Sequence, residues 1–255
     1  MKVTATQLPI TNDLDQNTTS ILELLEGDKG YMLTGEGSLS GYFAPPVINN
    51  CTNTVSLMDS ERHIANEAIT KNIKLLLGTG WMEPDGMPYN QVRVYDEGYK
   101  GAYCKRLLTT TAQGGGERNA YLPGWAPFVF DMGNNHRGGI LICNDIWATP
   151  VVSPQGNPYY VNEYARMGVT VLFCSVNCNV SGRVEWDPVI YTWHENHLQM
   201  YAKTYGMYIV VSGSSLSMNS EPIEKLQCPL GIIGPDGSWL EQLELGASHA
   251  SVILK

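Results

Sequence analysis

Residues 2–6 are β-branched and alternate in character, which predicts an opening strand. Asn12 or Asp13 can cap a helix running to about residue 25, and Gly27 and Gly30 end it before a short strand at 31–34. Apolar residues at 58, 64, 68 and 69 carry a helical period over 58–71, and the run at 73–78 reads as a buried strand. The pattern then changes. Residues 90–95 and 101–108 read as antiparallel strands around the turn DEGYKG, and a Gly-rich loop follows at 109–116. Strands at 127–132 and 138–142 flank GNNHRG. A helix at 162–167 closes at Gly168, a strand covers 169–174, and a helix at 195–205 leads into a strand at 207–212. Strands at 230–233 and 250–254 end the chain, with a PDG turn at 235–237 after the first of them.

Strands joined both by helices and by hairpins imply a mixed sheet system covered by helices, and so an α/β layered fold. No repeat or linker divides the chain, so residues 1–255 are expected to form one domain. With 43% hydrophobic and 16% charged residues, the composition is that of a folded core rather than a disordered chain. The net charge of −9 argues against nucleic acid or an anionic membrane as partner, since both require a basic face. No long apolar run suggests a leader or a membrane span, and a cytoplasmic protein with free thiols is expected from its six cysteines.

One cysteine stands apart. Cys143 lies where the apolar run GGILI gives way to NDIW, at the carboxyl end of an expected strand, where open α/β sheets expose ligand-binding residues. A thiol reacts only as thiolate and so needs a base or cation nearby; otherwise Cys143 is one more buried thiol. Spacing along the chain leaves both readings open.

Three segments together resemble the nitrilase, or carbon–nitrogen hydrolase, superfamily, whose members use a Glu-Lys-Cys triad. EGSLSGY at 36–42 is similar to the family's glutamate segment and places the acid on Glu36. GAYCKRL at 101–107 resembles its lysine segment and places the base partner on Lys105, and GGILICND at 138–145 places the nucleophile on Cys143. The segments occur in the family's order, and Gln7, Asp13, Asn17, residues 165–168 and GIIGPDGSWL at 231–240 extend the likeness over nearly the whole chain. The resemblance implies a four-layer αββα sandwich of the carbon–nitrogen hydrolase type. It further implies that Glu36 takes the thiol proton and that Lys105, with the backbone N–H of Asn144, stabilises an oxyanion. Glu117 in GERNAYLPG is similar to the family's second glutamate, which would keep Lys105 charged. Asn177, Trp193 and His194 follow the next strand and are implied pocket residues.

The departures are informative. Gly35 stands where the family usually has proline, and Cys104 where it has arginine. After Cys143 a true nitrilase tends to have Trp-Glu; Asp145 and Trp147 instead resemble the glutamine-hydrolysing domain of NAD synthetases, without the synthetase domain. The resemblance therefore points to a free-standing amidase acting on a small-molecule amide through a thioester. A nitrilase, an N-carbamoyl or ureido amidase, and a catalytically silent binding relative stay as alternatives. It also implies a homodimer or higher homo-oligomer formed through the face that carries 159–167 and the C-terminal segment. No cofactor or metal is expected: Cys174 and Cys178, with His194 and His197, lack zinc-site spacing, and neither GGG at 114–116 nor GTG at 78–80 opens a phosphate loop.

Overall fold

The computed structural model describes residues 1–42, 54–109, 116–147, 160–177, 187–217 and 221–255. Among them the order of elements is β1 (Lys2–Leu8), α1 (Leu14–Leu24), β2 (Tyr31–Leu33), α2 (Thr54–Thr70), β3 (Lys74–Met82), β4 (Pro88–Tyr95), β5 (Tyr99–Cys104), β6 (Val129–Gly133) and β7 (His136–Ile142). There follow α3 (Asn144–Trp147), α4 (Tyr160–Arg166), β8 (Val171–Ser175), α5 (Pro188–Tyr205), β9 (Tyr208–Ser214), β10 (Leu230–Ile233), β11 (Trp239–Leu243) and β12 (His249–Ile253). A single 3-10 turn spans Glu117–Asn119.

β1 joins two halves of the sheet system. From Lys2 to Thr6 it pairs antiparallel with β12, while Val3 and Thr4 pair in parallel with β2. Its last two residues, Gln7 and Leu8, leave that half and pair in parallel with Gly213 and Ser214 of β9. One half continues from β2 through β3 and β4 to β5, and the other runs from β9 through β8 and β7 to β6, with β10 and β11 on the far side of β9.

Side-chain alternation turns this topology into layers. Tyr31 and Leu33 face inward, where Tyr31 meets Phe130 of β6 and Phe173 of β8 at ring-centroid distances of 6.0 and 6.4 Å. Met32 between them faces outward with Leu75 and Leu77, against Ile21 of α1 and Ile64 and Ala68 of α2. On the opposite side Tyr164 of α4 and Leu198 and Ala202 of α5 cover the second half. The order is helix, sheet, sheet, helix: the four-layer αββα sandwich. Among the described residues no helix is long and apolar enough to cross a membrane.

Most expected elements are present, and the differences have local causes. Asp13, not Asn12, caps α1, accepting from the N–H groups of Asp15 and Gln16 at 2.9 and 3.0 Å. The last long helix starts at Pro188 rather than 195, because Asp187 caps it and Pro188 occupies its first turn, a start signal stronger than the apolar period. The strand expected over 101–108 stops at Cys104: the Lys105 N–H still reaches the Asn90 carbonyl of β4, but those of Arg106 and Leu107 go to the carboxylate of Asp145. The strand β11 and the one-turn helix α3 were not expected: β11 is mostly exposed, and α3 is too short to show a period. The segments 43–53 and 148–159 and most of the loop expected at 109–116 lie outside the described residues.

The two halves approach closely at glycine. A Cβ on Gly78 would lie 2.1 Å from the carbonyl oxygen of Gly35, and one on Gly35 would lie 2.8 Å from the backbone of Gly213. The glycine before Glu36, where the resembling family has proline, is therefore demanded here by backbone contact. Gly78→Ala is expected to force these segments apart and cost about 1–3 kcal/mol, the usual scale of overpacking. Thermal unfolding should register it as a Tm lowered by several degrees.

Candidate active site

The end of β8 carries both ends of the expected catalytic pair. The carbonyl of Ser175 accepts the N–H of Cys143 at 2.9 Å, and the carbonyl of the next residue, Val176, accepts the N–H of Glu36 at 3.2 Å. Cys143 thus sits at the carboxyl end of β7, immediately before α3, and Glu36 arrives from the segment after β2. The backbone at Cys143 is left-handed, with φ of 45°. A non-glycine residue in that region is strained and persists only where surrounding contacts enforce it. Here they do: the β8 carbonyl holds its N–H, and its own carbonyl accepts from Ile146 at 3.0 Å. Cys143 is 7% exposed.

Lys105 supplies the centre of charge. It follows β5 and is completely buried, with its ammonium 2.7 Å from Glu36 Oε1 and 2.7 Å from Glu117 Oε2. Asn90 of β4 completes the cluster, its Nδ2 donating to Glu36 Oε1 and to Glu117 Oε1 at 2.8 Å each. The carbonyl of Asn90 also accepts the N–H of Lys105 at 2.8 Å. Glu117 is further held by the N–H of Thr109 at 2.8 Å.

The electrostatics separate the two carboxylates. Burial pushes Glu36 well above the ordinary glutamate range; Lys105 opposes this, and the charges of Cys143 and Glu117 add to it. Burial also works against ionised Glu117, but Lys105 with its hydrogen bond, the Thr109 N–H and the Asn90 amide outweigh it and hold Glu117 low. Burial acts downward on Lys105, yet Glu117, Glu36 and Cys143 together keep its ammonium well above the usual lysine range. The arrangement is a permanent Lys105–Glu117 pair beside a carboxyl, Glu36, poised to hold or release a proton. Glu36 Oε2 has no hydrogen-bond partner, and the charge of Cys143 is felt by both Glu36 and Lys105.

Asp145 ties the nucleophile to the lysine. Its Oδ1 accepts the N–H groups of Arg106 and Leu107 at 3.1 and 2.6 Å, and its Oδ2 accepts the Tyr103 hydroxyl and the Ile142 N–H at 2.8 and 3.2 Å. Burial raises its pKa to about 6 against the pull of Lys105 and these donors. The side chain of the neighbouring Asn144 donates to the Leu107 carbonyl at 3.1 Å. Glu36, Lys105 and Glu117 are thus in direct contact, and Cys143 is near enough for its charge to act on Glu36 and Lys105.

The remaining expected residues are placed differently. Asn177 lies against Glu36, its Nδ2 3.5 Å from the Glu36 carbonyl. His194 donates from Nδ1 to the Gln227 carbonyl at 2.9 Å, and the Trp193 ring lies tilted against those of His194 and His197 along α5, at 5.1 and 4.3 Å between centroids. The described contacts of these two are with α5 and the segment before β10 rather than with the Glu36–Lys105–Glu117 group. Asn90 was not anticipated. Its strand was, but nothing in the alternation distinguishes this amide from any polar residue at a strand's start. Cys174 is fully buried in β8, its thiol pushed far up by burial, and Cys178 lies outside the described residues. Among the described residues no group of three or more His, Cys, Asp or Glu side chains forms a metal site.

No family model matches the sequence, and a search of curated proteins finds no match. Solved structures do match. A mutant of Nesterenkonia AN1 amidase from the nitrilase superfamily aligns over 100% of this chain and 90% of its own, at TM-score 0.78 and 18% identity. The chain has the nitrilase-superfamily fold. A second Nesterenkonia amidase structure, at TM-score 0.79 and 17% identity over 100% of this chain and 90% of that one, carries the acetamide moiety of fluoroacetamide covalently on its active-site cysteine. The glutamine-dependent NAD+ synthetase of Acinetobacter baumannii matches at TM-score 0.74 and 19% identity over 98% of this chain. The chain spans 44% of that synthetase. Within the nitrilase fold, the strand ends at β7 and β8 are where this protein gathers its buried charges.

Asp145→Ala would strand three backbone N–H groups and the Tyr103 hydroxyl in or near the core. At about 1–3 kcal/mol for a buried unsatisfied group, the total loss should reach about 3 kcal/mol or more. Urea denaturation should show the midpoint falling with little change in slope.

Proposed function

We propose that the protein is a cysteine-dependent hydrolase of non-peptide carbon–nitrogen bonds, an amidase that releases ammonia from a small amide through a thioester on Cys143. One observation carries this reading: a fully buried lysine bridges two carboxylates of opposite pKa tendency, and the carboxylate held high shares the end of β8 with a cysteine in strained backbone. A binding protein gains nothing from burying three ionisable side chains at 0–1% exposure against the desolvation cost. The match to amidase structures supports the same class.

In this reading Glu36 takes the thiol proton on Oε2 while the sulfur attacks the amide carbon. The carbonyl electrons move onto oxygen, where the Lys105 ammonium and the backbone N–H of Asn144 meet the developing charge. Collapse of the tetrahedral intermediate breaks the carbon–nitrogen bond, and Glu36 returns the proton to the departing nitrogen as ammonia leaves. Water then gives a proton to Glu36 and its oxygen to the acyl carbon; the carbon–sulfur bond breaks and the thiol is restored. Glu117 stays ionised throughout and keeps Lys105 cationic, which lets Glu36 change protonation state without losing the charge that stabilises the oxyanion. The sum is one amide and one water giving one acid and one ammonia. Two copies pairing through the face that carries α4 and β12 belong to the same reading, and light scattering measures that mass directly.

Cys143→Ala should abolish ammonia release from an amide panel and prevent any acyl adduct in intact-protein mass spectrometry. Lys105→Ala should lower kcat by about a hundredfold or more, the cost of one oxyanion donor. Turnover without Cys143 sinks the proposal.

The pH profile follows from the sign of the Glu36 shift. The base acts only when ionised, so kcat/KM should fall as pH drops through a pKa displaced above 4.5. Glu117 contributes to that upward displacement, so Glu117→Gln should move the acid limb to lower pH while it reduces kcat. A limb that stays in place contradicts the assigned coupling.

A further inference from the structure

Three consecutive residues at the end of β8 serve the site in turn: Ser175 holds Cys143, Val176 holds Glu36, and Asn177 places its side-chain amide against Glu36. Asn177 is 4% exposed, and its Oδ1 is buried without a hydrogen-bond partner among the described residues. The orientation is dictated by its surroundings, because exchanging Oδ1 and Nδ2 would set oxygen against the carbonyl oxygen of Glu36. Asn90 repeats the pattern on the other side of Glu36. Its Nδ2 is committed to two carboxylate oxygens, and its Oδ1 is buried and unpartnered.

Both orphaned amide atoms are acceptors. A buried acceptor without a donor is costly, and a bound ligand that supplies a hydrogen relieves that cost. Glu36 cannot serve as that acceptor throughout: its Oε1 takes Lys105 and Asn90, and its Oε2 must receive the thiol proton. The neighbourhood of Glu36 is therefore short of donors, and a group bearing N–H would fill it. The scissile nitrogen of a primary amide brings two hydrogens and leaves with three. A nitrile nitrogen brings none, and neither does the leaving oxygen of an ester.

We infer that Asn177 is a specificity residue whose Oδ1 accepts a hydrogen bond from the scissile NH2, so that the site selects primary carboxamides over the nitriles and esters of the same acyl group. This rests on the amidase reading and adds to it the residue that distinguishes the leaving group. The bond persists as the nitrogen becomes pyramidal, and it holds the nitrogen in place while Glu36 delivers its proton.

The test compares leaving groups on one acyl chain. Ammonia release is screened over acetamide, propionamide, benzamide and L-glutamine, and the best amide is paired with its phenyl ester and its nitrile. Wild type, Asn177→Ala and Asn177→Leu, each checked for native circular dichroism, are compared by the amide-to-ester ratio of kcat/KM. Loss of one hydrogen bond to the reacting group should lower that ratio about tenfold in both variants. If both activities fall together, so that the ratio stays within about threefold of wild type, Asn177 is only a packing residue and the inference is overturned. Wild type that prefers the nitrile to the amide overturns it as well. A wild type that gives neither ammonia nor an acyl adduct on Cys143 from any of these compounds refutes the amidase reading itself, which is a different result from an unchanged ratio.

Discussion

A single ammonium buried between two carboxylates organises this protein. Lys105 has no exposed surface, and its charge is tolerable only because Glu117 and Glu36 lie within hydrogen-bond distance. Two carboxylates and one lysine leave an excess negative charge in a place without water, so one carboxyl must hold its proton more tightly than an ordinary glutamate does. Glu117 has three donors to satisfy it: the Lys105 ammonium, the Asn90 amide and the Thr109 N–H. Glu36 shares its one bonded oxygen and leaves the other bare, and it is the group that burial pushes up. The difference between two chemically identical side chains is thus a difference in donors received.

Holding that cluster requires the two halves of the sandwich to be locked together at one level. Glu36 and Asn90 come from the first half and Cys143 from the second, while Lys105 and Glu117 lie in the connection between them. The β8 carbonyls take the N–H groups of Cys143 and Glu36, and Asp145 binds the strand end before Cys143 to the segment after Lys105. Bare glycine backbone at Gly35, Gly78 and Gly213 lets the crossing segments approach closely enough for these bonds to form. The strain at Cys143 is maintained by the same contacts, so the geometry of this cysteine belongs to the sandwich and not to its local sequence.

Much of this was legible from the chain alone. Alternation and helical period located most strands and helices because each buries one face, the way they are joined implied a mixed α/β layered fold, and the αββα order came from the family resemblance. Three short segments marked Glu36, Lys105 and Cys143, and a fourth marked Glu117. Where the strand bounds differ, a tertiary bond overrode a local signal: β5 ends early because Asp145, some forty residues on, captures the N–H groups of Arg106 and Leu107. Trp193 and His194 are candidate pocket residues by their position after β8, and their described partners include residues along α5 and before β10.

The sequence by itself determined most of the strands and helices, the mixed α/β character and the net negative charge, since these depend on residue type and period, and its resemblance to a known family singled out Glu36, Lys105, Cys143 and Glu117 as candidates. Only the tertiary structure decided which glutamate is held high and which low, that Asn90 clamps both, and that Asn177, next to the Glu36 backbone, carries an acceptor unpaired among the described residues. The reason is physical: a pKa and an unsatisfied hydrogen bond are properties of what surrounds a group within a few ångströms, and those neighbours come from residues tens of positions away.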